Sequence, residues 1–144
     1  LTIRQIPIYQ TANNFSEVVM WFWWFILICD LLIPVTMFAG GIIMSKHHPK
    51  QINGLFGYRT ARSMKNMDTW KFAHNYCGRI WWKIGFATLI ITVLCHLPFY
   101  HSNEDVIGTV SIVAVTTQII ALIVPVFITE NALKKTFNED GTRR

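Results

Sequence analysis

The stretch Val106-Ile-Gly-Thr-Val-Ser-Ile-Val-Ala-Val-Thr-Thr-Gln118-Ile-Ile-Ala-Leu-Ile-Val-Pro125-Val-Phe-Ile128 contains no charged residue. An uninterrupted apolar run of this length reads as a helix that crosses a bilayer. Two further windows resemble it. Val18 to Met44 is apolar over 27 residues, broken only by Asp30; at about 1.5 Å per residue it reaches roughly 40 Å, more than a hydrocarbon core of about 30 Å requires. Ile80 to Tyr100 is the third, with Lys83 near one end and His96 near the other. Pro34, Pro98 and Pro125 fall within these windows or at their ends, which membrane helices tolerate better than soluble ones. Across all 144 residues only 15% are charged against 52% hydrophobic. That composition excludes a disordered chain, and too little polar sequence remains to cover three buried helices in water, which argues against a soluble globular domain. The expected fold is an all-α membrane protein with three transmembrane helices and a structured cytoplasmic loop between the first and second.

The charges give the expected orientation. Lys46, Lys50, Arg59, Arg62, Lys65, Lys71, Arg79 and Lys83 lie between the first two spans with the single acid Asp68, and Lys134, Lys135, Arg143 and Arg144 follow the third. The link between the second and third is short and acidic, with Glu104 and Asp105. The positive-inside rule then places loop 45–79 and tail 129–144 in the cytoplasm, and segment 1–17 and the short link outside. The net charge of +5 reads as topology and contact with anionic lipids, with no nucleic-acid partner. Leu1 to Ser16 has Arg4 as its only charge and precedes too long an apolar run for a signal peptide. The first residue is not Met, which suits a trimmed or processed chain.

The loop is longer than a simple helix connection and is not composed like a disordered segment. It interleaves Ile52, Leu55, Phe56 and Tyr58 with Gly54 and Gly57 before Arg59-Thr60. Asn53-Gly54 is a turn signal, and Gly57 permits positive φ or close backbone approach. An ordered re-entrant or surface-lying structure is expected, with an amphipathic patch resting on lipid as its simplest form. Asn66 reads as the N-cap of a helix starting near Met67, with Asp68 in its first turn. Trp70, Ala73, Cys77, Ile80/Trp81 and Ile84 recur at helical spacing as one apolar stripe, and Lys71, Asn75 and Arg79 line a different face. Trp81 and Trp82 are expected at the membrane interface, with Lys83 reaching for headgroups.

Asn53-Gly-Leu-Phe-Gly57-Tyr58-Arg59-Thr60, Ser63-Met-Lys-Asn66 and Thr69-Trp70-Lys-Phe-Ala73-His-Asn75-Tyr-Cys-Gly78 together resemble the signature of the SdpI family of bacterial membrane proteins. The similarity extends into Trp81-Trp-Lys-Ile-Gly85 and Thr129-Glu130-Asn-Ala-Leu133-Lys-Lys, so that residues 18–144 form one SdpI-like membrane domain. The resemblance implies a multi-pass protein of the bacterial cell membrane. Its implied role is immunity to a secreted toxic peptide, coupled to signalling through a soluble cytoplasmic regulator.

Arg59 is the leading site candidate, because its guanidinium offers five donors in a fixed fork suited to phosphate or carboxylate. Asn53, Gly57, Tyr58, Thr60, Ser63, Asn66, Trp70, Asn75 and Arg79 make up the remaining binding candidates, with Glu130 and Lys134 approaching from the third span. The plainer alternative is that Arg59 pairs with Glu130 or Asp68 and only fixes the loop, while Ser63 and Asn66 cap helices. Asp30 stands 12 residues into its window, about 18 Å deep, where a carboxylate costs roughly 2.5–3.5 kcal/mol on insertion scales. Gln118 and Thr88 are the polar groups at matching depth. A protonated Asp30 hydrogen-bonded to Gln118 as interhelical glue is favoured over a proton relay.

His47-His48 and His96 show no ligand spacing, His74 with Cys77 has no matching second pair, and His101 with Glu104 and Asp105, which could catch a cation outside, reads rather as chance clustering, so no metal site and no cofactor are expected. Cys29, Cys77 and Cys95 read as reduced packing residues. Nucleophile–base spacings and a phosphate-cradling loop are absent, which makes catalysis the minority reading. The expected function is binding of a membrane-active peptide or lipid through the spans and outer link, with a cytoplasmic face shown to a partner. The alternative is a small membrane enzyme or transport component acting on an anionic lipid headgroup at the Arg59 loop. Nothing in the sequence demands a homo-oligomer, although a second copy would cover Asp30.

Overall fold

The computed structural model describes residues 8–47 and 50–144, with side chains from residue 17 onward. The expectations that fall on residues 1–7 and on His48 lie outside that range. Three long helices make up the described chain: α1 (Ile8–Lys46), α2 (Met67–His96) and α3 (Glu104–Thr136), with a 3₁₀ turn at Leu97–Phe99. Each contains a segment long and apolar enough to cross a membrane. The outward surface fits that reading, since Trp21, Phe25, Ile112 and Phe127 are all more than 60% exposed, a display that water would penalise and lipid does not. The fold is an all-α membrane protein, as its sequence predicts.

The helix ends follow from local chemistry. Asn66 accepts from the amides of Asp68 and Thr69, while Thr69 Oγ1 accepts from the Asn66 amide, a reciprocal capping box. Asn103 caps α3 by accepting from the Val106 amide, and Glu104 and Asp105 follow in the first turn, where the helix dipole favours anions. Lys134 and Lys135 occupy its last turn. Pro98 lies in the 3₁₀ turn that ends α2.

α1 and α2 run antiparallel in close contact because glycines remove side chains where they cross. A Cβ on Gly78 would lie 2.7 Å from the Ser45 amide nitrogen, and one on Gly85 2.6 Å from that of Phe38. A Cβ on Gly41 would collide with the Trp82 backbone. Small residues at such crossings allow the backbone approach that drives helix association in lipid. These glycines carry the contact between the helices where the apolar stripe leads toward half-buried Ile80, Trp81 and Ile84.

Two apolar clusters close the bundle. Val19, Trp23, Leu27 and Ile107 pack near the short link between α2 and α3, hereafter the link end. Met44, Tyr58, Ala73, Cys77, Leu133 and Phe137 pack at the opposite, loop end. Trp81 packs against this second cluster and its indole nitrogen is buried, so it is a packing residue as well as an aromatic near the interface.

Candidate functional site

At the loop end, residues 50–66 fold back onto α2 and α3. Asn53 Oδ1 accepts from the amides of Leu55, at 3.1 Å, and Phe56, at 2.9 Å. This Asx turn sets Leu55 outward with 93% exposure, and Phe56 beside it is 47% exposed. Gly57 follows with φ of 104°, and a Cβ there would collide with the His74 imidazole. Both constraints demand glycine.

That approach lets the Tyr58 amide donate to His74 Nε2 at 3.1 Å. On the other side of the ring, His74 Nδ1 lies 2.8 Å from the Trp70 carbonyl oxygen, which fixes Nδ1 as donor and Nε2 as acceptor. His74 is completely buried and pins the loop to α2. Tyr58 extends the anchorage to α3: its hydroxyl donates to the Val126 carbonyl at 3.0 Å and to Glu130 Oε2 at 3.4 Å. Burial, reinforced by the adjacent Glu130 carboxylate, pushes the Tyr58 phenol well above the usual tyrosine range, so it stays a donor.

The cation facing Glu130 is Arg62, at 3.2 Å, and Asp68 is met by Arg143, also at 3.2 Å. Arg59 pairs with neither acid. It is exposed and donates to the Gly54 carbonyl, closing the loop tip. Thr60 and Ser63 exchange hydrogen bonds within one turn, and Ser63 Oγ also donates to the Tyr58 carbonyl. Asn66, besides capping α2, donates to the Gly141 carbonyl at 2.8 Å and so ties the tail to the loop. Gly141 has φ of 89°, and Phe137 and Arg143 form an antiparallel bridge across the bend.

Of the expected polar pocket, Tyr58, Thr60, Ser63, Asn66 and Glu130 enter one connected network, and Trp70 is buried against His74. Asn75 and Arg79 make no hydrogen bond to it among the described residues. The network's two essential additions are His74 and Arg62. His74 had a sequence signal: it lies on the same helical face as Trp70, Ala73 and Cys77, and a polar group on an apolar stripe needs a buried partner.

A second polar cluster lies between the helices nearer the link end. Asp30 Oδ2 is 3.0 Å from His96 Nε2, and Ser111 Oγ donates to Asp30 Oδ1 at 2.8 Å. His96 Nδ1 faces the Thr92 carbonyl at 2.8 Å, and Trp23 Nε1 donates to the His96 carbonyl at 3.2 Å. This corrects the expected pairing of Asp30 with Gln118. Asp30 is 12 residues into its window but Ser111 only five into its own, so α1 overhangs its neighbours by about 10 Å at 1.5 Å per residue. The carboxylate therefore sits closer to the link end than a count from Val18 implies, level with His96, which is buried rather than at the surface. Asp30 joins all three helices, as interhelical glue requires. Ser111 bonds the carboxylate and not the imidazole, so the three side chains lack the order of an activated serine. Gln118 instead donates to Thr92 Oγ1 at 2.8 Å, and Thr88 Oγ1 turns back to the Ile84 carbonyl.

The chain matches the model of the SdpI/YfhL protein family over residues 50–129, more than half its length. It is similar to the protein described as "Uncharacterized protein YfhL" of Bacillus subtilis (strain 168), with 39% identity over 44 residues that cover 31% of this chain and 40% of that protein. The similarity thus takes in less than half of that relative. No solved structure matches. The family match contains the loop tip, Tyr58, Arg62, His74 and the membrane-crossing parts of α2 and α3, and the chain belongs to the SdpI/YfhL family.

Proposed function

We propose that the chain is an immunity- or signalling-type protein of the bacterial cell membrane that binds rather than transforms its ligand. The loop end and C-terminus lie in the cytoplasm in this reading, because the basic residues concentrate there. The membrane-facing surfaces and the link receive a membrane-active peptide or lipid, and the loop end presents a face to a soluble regulator. The observation that carries the reading is the loop tip. Leu55 and Phe56 are exposed on a turn held by Asn53, Arg59 and the Tyr58–His74 anchor. A fixed apolar tip beside an exposed arginine is a recognition surface, since ordering entropy has already been met before a partner arrives. The reactive groups nearby are committed as structural ties: Tyr58, Glu130 and His74 each hold one segment to another, and the Ser63 hydroxyl closes the turn that follows Tyr58.

The test pairs protection with chemistry. Cells carrying the protein are challenged with a secreted membrane-active toxic peptide, and the purified protein is incubated with anionic phospholipid vesicles. Leu55→Asp and Arg59→Ala are expected to abolish protection, with no lipid product from wild type or variant. A lipid product that depends on Arg59 overturns the binding reading in favour of an enzyme acting on an anionic headgroup.

A further inference from the structure

Where α1 and α2 cross at the loop end, the pair has one side that α3 covers and one that it leaves open. The covered side carries Met44, Ala73 and Cys77, which pack with Leu133 of α3. The open side follows from helix geometry: in an antiparallel pair, the residues that follow two facing positions point to the same side. A Cβ on Gly41 would meet the Trp82 backbone and the Gly78 carbonyl oxygen, so the two glycines face one another. Ile42 of α1 and Arg79 of α2 therefore share the open side. The rings of Phe38 and Phe86 meet on it, with centroids 5.9 Å apart. Phe38, Ile42 and Lys46 recur every four residues along α1, while Arg79, Lys83 and Phe86 are spaced four and three apart along α2. Each helix thus adds one stripe to this face.

The two stripes are apolar toward the bilayer centre and cationic toward the loop end. Phe86 lies seven residues beyond Arg79, about 10 Å at 1.5 Å per residue. Lys46, Arg79 and Lys83 are exposed, and among the described residues none of them enters an ion pair or a side-chain hydrogen bond. The ion pairs of the loop end use Arg62 and Arg143 instead. The one acid in α2 is Asp68, eleven residues from Arg79 or about 16 Å away, and Arg143 already meets it. Cations gathered on one face with no acid among them repel one another until an anion joins them.

We infer that this face binds one phospholipid of the loop-side leaflet whose headgroup is a phosphomonoester, its phosphate held by Arg79, Lys83 and Lys46 and an acyl chain laid along Ile42, Phe38 and Phe86. A phosphomonoester carries about −1.5 to −2 charges near pH 7 and three acceptor oxygens, which suits three cations. The Arg79 fork takes two oxygens of one phosphate, while each lysine acts as a point charge. A zwitterionic headgroup would bring an ammonium among the cations, and a free phosphate would leave the apolar stripes without an occupant. The rest of the basic loop end attracts anionic lipid diffusely; this face adds a fixed geometry to that attraction. The site depends neither on the toxin reading nor on which side of the membrane the loop end faces, and its assay contains no toxin.

The test is native mass spectrometry of the full chain in detergent micelles, titrated with dioctanoyl phosphatidic acid, dioctanoyl phosphatidylcholine or inorganic phosphate. One phosphatidic acid per chain is expected, at roughly tenfold or more lower concentration than phosphatidylcholine. Each cation beside an anionic group strengthens attraction about fivefold, so Arg79→Gln with Lys83→Gln should weaken phosphatidic acid binding roughly 25-fold. Lys135→Gln with Arg144→Gln removes the same charge from the last turn of α3 and the tail, and should change binding by no more than about twofold. All four side chains are exposed, so neither pair of substitutions touches the core. Equal binding of the two lipids to the wild-type protein overturns the inference whatever the variants do. Equal weakening in both double variants shows diffuse charge alone, and also overturns it. Displacement of the lipid by inorganic phosphate at matching concentration assigns the face to a free anion, and loss of lipid as dimers form assigns it to a second copy; either result overturns it as well.

Discussion

Gly57→Ala isolates the anchorage of the loop from the stability of the bundle. The backbone at Gly57 has φ of 104°, where an L side chain is strained by about 1–3 kcal/mol. The added methyl also lands on the His74 imidazole. If the ring moves, the Tyr58 amide loses its acceptor, and a buried unsatisfied donor costs another 1–3 kcal/mol or so. The local penalty is therefore roughly 2–6 kcal/mol. It falls on the loop, because the α1–α2 glycine crossing and the Asp30 cluster lie elsewhere. Amide hydrogen exchange across residues 58–63 is the assay. Even 2 kcal/mol should speed exchange at Tyr58 by roughly 30-fold, while amides in the membrane-crossing parts of α1 and α3 keep their rates. Gly54→Ala is the control: a Cβ there meets nothing within 4 Å, so exchange should change little. Tyr58 exchange in Gly57→Ala as slow as in the wild-type protein would refute the reasoning.

Asp30→Leu and His96→Leu should each destabilise the bundle by about 1–3 kcal/mol and the double variant by less than either alone, since removing one partner leaves the other buried and unsatisfied; additive losses in an unfolding titration would show that the two do not act as a pair. Asn66→Ala should cost about 1 kcal/mol through the lost cap and also release the tail, read as faster exchange at the Gly141 end. Gly78→Val should separate α1 from α2 and lower the thermal midpoint sharply, whereas Gly108→Ala, where a Cβ meets nothing, should raise stability by about 0.5–1 kcal/mol. The raised Tyr58 pKa favours the folded state through the protonated phenol, so that contribution is complete below the unfolded value near 10 and declines as pH rises through the folded one. Phenolate absorbance from Tyr58 should accordingly still be absent at about pH 10–11, where an ordinary phenol is half ionised or more.

What could be read from residues alone was local. Long apolar windows with at most one charge each place three membrane-crossing helices, and Asn66 with Asp68 places the start of α2, because capping and hydropathy act over a few neighbouring positions. The relative height of helices is a different kind of quantity. Nothing in the chain states that α1 overhangs its neighbours, so a depth count from Val18 pairs Asp30 with Gln118 when the structure gives it His96 and Ser111. Likewise Arg59 and Arg62 are three apart in one basic loop. The turn geometry between them decides that Arg62 meets Glu130 while Arg59 closes the loop tip. Glu130 was legible as a site residue through the family resemblance, but its tie to Tyr58 needed the fold.

The account stands most directly on which side of the membrane the loop tip faces. Leu55→Cys, in a background with Cys29, Cys77 and Cys95 replaced by serine, offers an exposed thiol that makes no side-chain contact the loop depends on. A membrane-impermeant maleimide should leave it unmodified in intact cells and modify it fully in inverted vesicles. Modification from outside intact cells would place the loop and tail beyond the cytoplasm and contradict the account.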